Sequence, residues 1–195
     1  MVEDICQAGE LVLRRPARTL APAEIRSALV QEIIASMFET LRAAPGVGLA
    51  APQIGLPLQL AVIEDPAEFI EKLPPEDAAE RERAPVAPHV IINPKLTPEG
   101  SEQAEFFEGC LSLAGFTAIV PRALAVRVEC LNERAEPITI RARGWYARIL
   151  QHEIDHLHGK LYIDRMISRS FMGRENFERH WKDLPITEAR RLLDA

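Results

Sequence analysis

The segment QHEIDHLHG, residues 151–159, contains three of the five histidines of the chain. On an α-helix, residues four apart differ by about 40° in direction, so His152 and His156 project from one face and can bind a single metal ion. Glu153 lies beside that face, and the glutamate of an H-E-x-x-H helix moves protons for a water that the metal activates. His158, six positions after His152, points about 240° away and is predicted to be a surface residue.

A catalytic metal site of this kind needs a third protein ligand and one open position. Beyond His156 the remaining histidines are His158, which faces the wrong way, and His180. Cys110, in EGCLSL, is the better candidate, because it follows Gly109, a residue at which backbone can approach a ligand closely. Taken singly, however, a cysteine is more often a small buried hydrophobic residue than a ligand.

Three alternatives remain open on these residues. The histidines can be solvated residues of an ordinary helix. HEIDH is also typical of a zinc endopeptidase, which would cleave internal peptide bonds and would not depend on Cys110. A non-enzymatic binding module could use Cys110, His152 and His156 as a structural metal clamp, closed to water by a fourth protein ligand; this leaves Glu153 without a task.

Length and composition describe an ordinary globular chain. With 195 residues, 47% hydrophobic and 27% charged, one catalytic domain spanning 1–195 is expected. The 23 basic and 29 acidic residues give a net charge of −6, which argues against a nucleic-acid substrate or an anionic membrane surface. No apolar run approaches the length of a membrane span.

Cysteine usage bears on the compartment. Three widely separated cysteines, Cys6, Cys110 and Cys130, are an odd number and favour a reducing compartment over a disulfide framework. The expected location is cytoplasmic, although an organellar transit peptide could have been removed. Neither Cys6 nor Cys130 is assigned a chemical role, and Cys130 is predicted to be buried on a strand.

Helical periodicity identifies the elements that must position these residues. An apolar stripe at steps of four predicts a first helix over 24–42, formed by Ile25, Leu29, Ile33, Met37 and Leu41. A second helix is predicted over 144–157, and a third amphipathic segment over 170–183. The Gly- and Ala-rich stretch 46–55 is predicted to be a loop whose backbone something approaches closely.

Short alternating or β-branched runs predict the strands, which are 58–65, 90–97, 103–109, 123–132 and 137–143. The segment 66–88 is rich in Pro, Glu and Arg and is predicted to be a surface insertion. The expected fold is α+β, with mostly antiparallel strands packed around a central metal-binding helix.

Three motifs resemble those of the peptide deformylase family, in the family's order and with compatible spacing: GVGLAAPQIG at 46–55, EGCLS at 108–112 and QHEIDHL at 151–157. The likeness extends to VLRRPAR, HVIINPKL, RGWYARIL and LYIDRM, and therefore covers nearly the whole chain. Leu113 and Ala114 stand where Val-Pro is common, and Tyr146 where Gln is common. These departures affect the pocket and leave every proposed ligand and catalytic group in place.

The resemblance implies removal of the formyl group from N-formylmethionine at the start of new polypeptides, which yields formate and a free amine. It implies that Cys110, His152 and His156 hold one divalent metal, with Fe(II) expected, and Zn(II), Ni(II) or Co(II) able to occupy the same ligands. Glu153 would accept a proton from the attacking water and pass it to the leaving nitrogen.

The resemblance also implies how the substrate is held. The Gln53 side-chain amide and the Leu111 N–H are expected to donate to the formyl oxygen. The substrate backbone is expected to pair as an added strand with Val47, Gly48 and Gly109. The methionine pocket is expected to consist of Val47, Trp145, Arg148 and Ile149. Trp145 is equally compatible with an ordinary core position.

Formylmethionyl peptides are thus the expected partners, together with a transient ribosome contact, and no membrane or direct nucleic-acid substrate is expected. The sequence does not indicate whether the segment 165–195 contacts the ribosome.

Overall fold

The computed structural model describes residues 2–194; Met1 and Ala195, the ends of the predicted domain, lie outside the described residues. Within this range eight strands form: β1 (Gly48–Ala50), β2 (Leu60–Asp65), β3 (Val86–Pro98), β4 (Gln103–Glu108), β5 (Phe116–Ala123), β6 (Ala125–Leu131), β7 (Pro137–Arg143) and β8 (Met172–Gly173). The α-helices are α1 (Pro22–Ile25), α2 (Ala28–Ala43), α3 (Ala67–Ile70), α4 (Pro75–Glu80), α5 (Gly144–Leu157), α6 (Arg174–His180) and α7 (Ile186–Asp194).

Two antiparallel sheets organise these strands. One has the order β1-β2-β3-β6-β7 and the other the order β4-β5-β8, and every pairing within them is antiparallel. Short 3-10 helices complete the fold at Leu11–Arg14, Ala51–Ile54, Tyr162–Asp164 and Ser168–Ser170. The predicted α+β class with mostly antiparallel strands is confirmed.

Helix α5 lies between the two sheets. Its apolar face, with Ala147, Leu150, Ile154 and Leu157, follows the i, i+3, i+7 spacing of an amphipathic helix and packs on the five-stranded sheet. Each of the buried leucine and isoleucine side chains stabilises the fold by about 1.5–3 kcal/mol. The polar face of α5 turns toward β4 and β5, so the functional side chains project between the sheets.

The first predicted helix is divided in two, and the prediction of one continuous helix was wrong. Ser27 begins α2 as its N-cap, where its Oγ accepts a hydrogen bond from the Val30 N–H at 3.3 Å. At the start of α2, Val30 and Ile34 are buried and Leu29 is 67% exposed, whereas Met37 and Leu41 of the predicted stripe are buried as predicted.

The prediction of a loop over 46–55 was also wrong. Gly48 pairs with Ile63 in the register of β1 and β2, and the 3-10 turn Ala51–Ile54 follows directly. Alanine side chains are small enough to be packed here, and Leu49, Ala50 and Ala51 are all 0% exposed. The stretch is therefore a buried element of the core.

Strand β5 and helix α7 were not predicted. Pro121 interrupts the apolar run of β5, and proline usually argues against a strand that is paired on both sides. The predicted segment 170–183 contains β8 and α6 in place of one helix. The segment 66–88 has no buried residue, which confirms a surface position, and a bidentate pair of Arg83 with Asp65 at 2.8 Å ties it to β2.

No helix within residues 2–194 combines the length and the hydropathy that are needed to cross a bilayer.

Candidate metal centre and active site

The three predicted metal ligands come together between β4 and α5. The ligand atoms of Cys110, His152 and His156 all lie within 4.8 Å of one another, and Sγ of Cys110 is 3.3 Å from Nε2 of His156. Thiolate and imidazole ligands of one tetrahedral ion would lie about 3.5 Å apart, given bonds of about 2.3 and 2.0 Å. The donor set and its spacing therefore fit a single divalent metal ion.

The protonation of His156 agrees with this fit, whereas for His152 the effect of burial is outweighed by the hydrogen bonds to Cys110 and Glu108, which raise its pKa. Burial lowers the pKa of His156 well below its usual value, and the neighbouring His152 lowers it further. His156 is fully buried, and its Nδ1 has no hydrogen-bond partner among residues 2–194. A neutral imidazole is the form that binds metal.

Glu108, for which the sequence predicted no role, orients His152. Nδ1 of His152 lies 2.9 Å from Oε2 of Glu108, so the N–H donates to the carboxylate and Nε2 is left to face the metal position. Burial raises the pKa of Glu108, but the His152 hydrogen bond and the Arg122 charge outweigh that effect and lower it. The only sequence signal was a charged residue two positions before Cys110 in EGCLS.

A buried ion network surrounds this contact. Arg122 donates to both carboxylate oxygens of Glu108, at 3.0 and 2.9 Å, and also to Asp155 on α5. Asp155 in turn accepts hydrogen bonds from Nε and Nη2 of Arg165, at 2.6 and 2.7 Å. These pairs fix β4 and β5 against α5.

Arg148, predicted to line the methionine pocket, has its charged end committed to this network. Its guanidinium donates to Glu108 at 2.6 Å, to the Val120 carbonyl at 2.8 Å and to the Ala104 carbonyl at 2.6 Å. The side chain is 4% exposed and still borders the cleft. Arg148 therefore lines the cleft, while its guanidinium donates its hydrogen bonds to groups inside the protein.

Glu153 is buried next to the predicted metal ligands. It is 4% exposed, and its Oε2 has no hydrogen-bond partner among the described residues. Burial raises the pKa of Glu153 to about 7, even though His152 acts to lower it. A carboxyl group whose pKa lies near neutrality is suited to both accepting and donating a proton.

Gln53 is held in one orientation. Its Oε1 accepts a hydrogen bond from the Ala50 N–H at 2.8 Å, so its Nε2 points to Oγ of Ser112 at 3.2 Å and to Sγ of Cys110 at 3.6 Å. The Leu111 N–H, on the residue after Cys110, has no acceptor among residues 2–194. Two donors therefore border the metal position, and the buried Ser112 was not predicted.

One cleft of about 580 Å³ joins these groups. Every predicted site residue borders it except His156, which lies behind His152. The predicted backbone positions Val47, Gly48 and Gly109 all lie on its walls. β1 and β4 are each the edge strand of their sheet, which leaves their outer edges free for pairing.

Trp145 borders the cleft and also packs on its neighbours. It therefore has features of both predicted positions, a pocket residue and an ordinary core residue. Its ring makes an edge contact with Phe106 at 6.1 Å between centroids. Arg81 and Arg83, from the surface insertion, lie over the ring at 5.2 and 5.4 Å. These arginines were not predicted, because the composition of the insertion is typical of solvent-exposed chain.

Comparison with known proteins identifies the family. The model of the polypeptide deformylase family matches residues 2–171. Peptide deformylase 1A, chloroplastic, of Solanum lycopersicum is 48% identical over 183 residues, which cover 94% of this chain and 64% of that protein. The mitochondrial peptide deformylase of Homo sapiens is 40% identical over 167 residues, covering 86% and 69%. The chain thus spans less than two thirds of the tomato protein.

Solved structures agree in fold. A class I type b peptide deformylase from Acinetobacter baumannii, bound to Met-Ala-Ser, superposes with a TM-score of 0.75 at 29% identity, over 85% of this chain and 99% of that one. The peptide deformylase of Ehrlichia chaffeensis in complex with actinonin gives 0.72 at 32% identity, over 85% and 88%. By motif, sequence and fold, the chain belongs to the polypeptide deformylase family.

Proposed function

We propose that this protein hydrolyses the N-formyl group of N-formylmethionyl peptides and releases formate and a free amino terminus. The observation that carries the proposal is a cluster of Cys110, His152 and the buried His156 at one cleft, which also holds the carboxyl of Glu153 and lies between two free strand edges. Family membership supports the same reaction.

One divalent metal ion held by Cys110, His152 and His156 belongs to the proposal. Fe(II) is the proposed metal, and Zn(II), Ni(II) or Co(II) can replace it on the same ligands, since imidazole and thiolate bind all of these ions. When bound, the metal supplies Lewis-acid activation of water and of the formyl carbonyl.

Glu153 is the proposed proton carrier. As water adds to the formyl carbon, one of its protons goes to the Glu153 carboxylate. The same proton passes to the leaving nitrogen as the C–N bond breaks, which regenerates the carboxylate. The near-neutral pKa of Glu153 supports both transfers.

Gln53 and Leu111 are the proposed donors to the formyl oxygen, on which negative charge develops. Each such donor lowers the barrier by roughly 3–4 kcal/mol when it is fixed beforehand. The hydrogen bond that Ala50 donates to Gln53 supports this role, because it sets the amide in place before substrate arrives.

The substrate backbone is proposed to pair along Val47, Gly48 and Gly109, since β1 and β4 offer free edges in the cleft. The methionine side chain is proposed to contact Val47, Trp145 and Ile149 together with the Arg148 stem. Main-chain pairing tolerates varied residues after the first, as an enzyme acting on many nascent chains requires.

The proposal is tested by formate release from formyl-Met-Ala-Ser under anaerobic conditions with Fe(II) restored. We expect the Cys110→Ala variant to lose both its bound metal and its turnover. Cleavage of internal peptide bonds that persists in Cys110→Ala would instead identify an endopeptidase. A metal-replete protein that releases no formate would favour the structural clamp.

A reducing compartment, the cytoplasm, and a transient ribosome contact through the segment 165–195 complete the proposal. The three cysteines are all unpaired, which supports the first. Exposed Arg169 and Arg179 support the second, because ribosomal RNA is a polyanion. We expect the protein to co-sediment with ribosomes at low salt and to be released at high salt. Failure to co-sediment at low salt would contradict the contact.

A further inference from the structure

One arginine in the active-site cleft lacks an anionic partner. Four arginines border the cleft. Three of them pair with an acid: Arg83 with Asp65 at 2.8 Å, Arg148 with Glu108 at 2.6 Å and Arg174 with Glu178 at 3.2 Å. Arg81 forms no ion pair and no side-chain hydrogen bond with any residue of the described range 2–194.

Packing holds Arg81 in place even without such a partner. Its guanidinium carbon lies 5.2 Å from the centre of the Trp145 ring and 5.7 Å from that of Phe106. Its backbone carbonyl accepts a hydrogen bond from the Trp145 N–H at 2.8 Å. The cation is therefore fixed at the amino-terminal end of α5, stacked on two aromatic rings.

Two neighbouring donors at this position are unsatisfied. Nε of Arg81 and Nε1 of Trp145 are both buried, and neither has a hydrogen-bond partner within residues 2–194. Burial of a donor without an acceptor is unfavourable, and such groups are rare in folded proteins. The Nη atoms of Arg81 also have no partner within residues 2–194 and are not among the buried atoms, so an acceptor from outside the chain can bind this open edge of the guanidinium in the cleft.

The electrostatic surroundings indicate that this acceptor is anionic. Burial lowers the pKa of Arg81, and the adjacent Arg83 lowers it further; Asp77 and Glu80 oppose this, but neither pairs with it. A carboxylate on the open side of the guanidinium would form charge-assisted hydrogen bonds and would offset the repulsion from Arg83.

The distance from the metal ligands matches a residue shortly after the methionine. Trp145 precedes His152 by about two helical turns, which at 1.5 Å per residue is about 10 Å along α5. An extended peptide advances about 3.3 Å per residue, so the second or third residue of a substrate reaches this far. Resting on the proposed deformylase function, we propose that Arg81, backed by Trp145, binds an acidic side chain at the second or third substrate residue and so determines specificity.

The test compares C-terminally amidated formylmethionyl tripeptides that carry Glu, Gln or Lys at the second or at the third residue. Amidation leaves the side chain as the only carboxylate. The expected result is that kcat/KM for Glu exceeds that for Lys by about tenfold at one of the two positions, with Gln between them. This preference should decrease as salt is added.

Variants assign the preference to Arg81. Arg81→Gln should bring Glu and Lys peptides to similar kcat/KM values, and Arg81→Glu should invert their order. The control is Arg141→Gln on β7, whose exposed side chain lies 3.6 Å from Glu99 and does not border the cleft. It removes the same charge and should keep the wild-type order.

A Glu preference that survives in Arg81→Gln would overturn the proposal, and so would a wild-type protein that does not distinguish Glu from Lys at either position. The second outcome requires no variant, so it applies even if Arg81→Gln does not fold. Failure of the proposed function is a different result, namely no formate release from any peptide, including formyl-Met-Ala-Ser.

Discussion

Glu153 occupies the space in front of Gly48. A Cβ at position 48 would lie 2.4 Å from Oε1 of Glu153 and 2.7 Å from its Cγ. Gly48→Ala is therefore expected to displace the carboxyl group, to slow formate release and to destabilise the protein by about 1–3 kcal/mol, the usual cost of overpacking. Denaturant unfolding and formate release measure the two effects.

A double-mutant cycle shows whether the contact with Glu153 is the cause. In a Glu153→Ala background the alanine at position 48 has room, so its cost should nearly vanish. Gly173→Ala is the control, because a Cβ there meets nothing within 4 Å. If Gly48→Ala lowers the unfolding free energy equally in the Glu153→Ala background, the contact with Glu153 is not the cause of the destabilisation.

Glu153→Gln should separate catalysis from metal binding. The amide keeps the shape of the side chain but cannot accept the proton of water, so deformylation should slow at least about 100-fold at normal metal content. Metal stoichiometry and formate release are measured on the same preparation. Full activity in a metal-replete variant would defeat the proposed mechanism.

Glu108→Gln should weaken metal binding. The amide loses the charge that holds the His152 ring in place, and loss of such a supporting partner lowers metal affinity about 10- to 100-fold. Competition with a chelator measures the affinity. Glu105→Gln, on the same strand with a partly exposed ion pair to Arg190, is the control; equal affinities of the two variants would contradict the role of Glu108.

Cys130 should affect stability at high pH and nothing else. Burial raises the pKa of its thiol from 9.0 to about 11. The folded protein thus keeps a proton that the unfolded chain loses, so this contribution is fully present below pH 9 and is lost as the pH rises through about 11. In Cys130→Ala, the fall in unfolding free energy between these pH values should be smaller by up to about 2 kcal/mol.

Turnover and metal content should be unchanged in Cys130→Ala and in Cys6→Ala. Loss of bound metal in either variant would mean that Cys110 is not the thiol ligand. The prediction for the Cys130 thiol is contradicted if the unfolding free energies of the wild-type protein and of Cys130→Ala fall in parallel above pH 9. In that case the fold does not hold the thiol protonated.

Local spacing was sufficient for the elements that carry a regular pattern. The i, i+4 placement of His152 and His156 predicted a shared helix face, and the structure puts both imidazoles beside Cys110. His158 is exposed and Cys130 is buried, as predicted. These features follow from helix and strand periodicity, which a single sequence reveals.

Tertiary contacts could not be predicted in this way. Charged residues such as Glu108, Arg122 and Asp155 usually lie on the surface. They can be buried here because their charges neutralise one another. Arg81 comes from a segment rich in Pro, Glu and Arg, and its place in the cleft depends on contacts with Trp145 and on the nearby pair of Arg83 with Asp65. Such pairings depend on residues far apart in sequence, which periodicity does not report.

The order of the ligands along the chain has a consequence for synthesis. Cys110 precedes its contact His156 by 46 residues, and β5, β6 and β7 lie between them. Of the proposed ligands, the Cys110 thiol therefore leaves the ribosome first, and the two imidazoles follow together on α5. On the proposed ligand set, α5 packs among strands of which only β8 is translated after it, so the metal ion can be bound only late in synthesis.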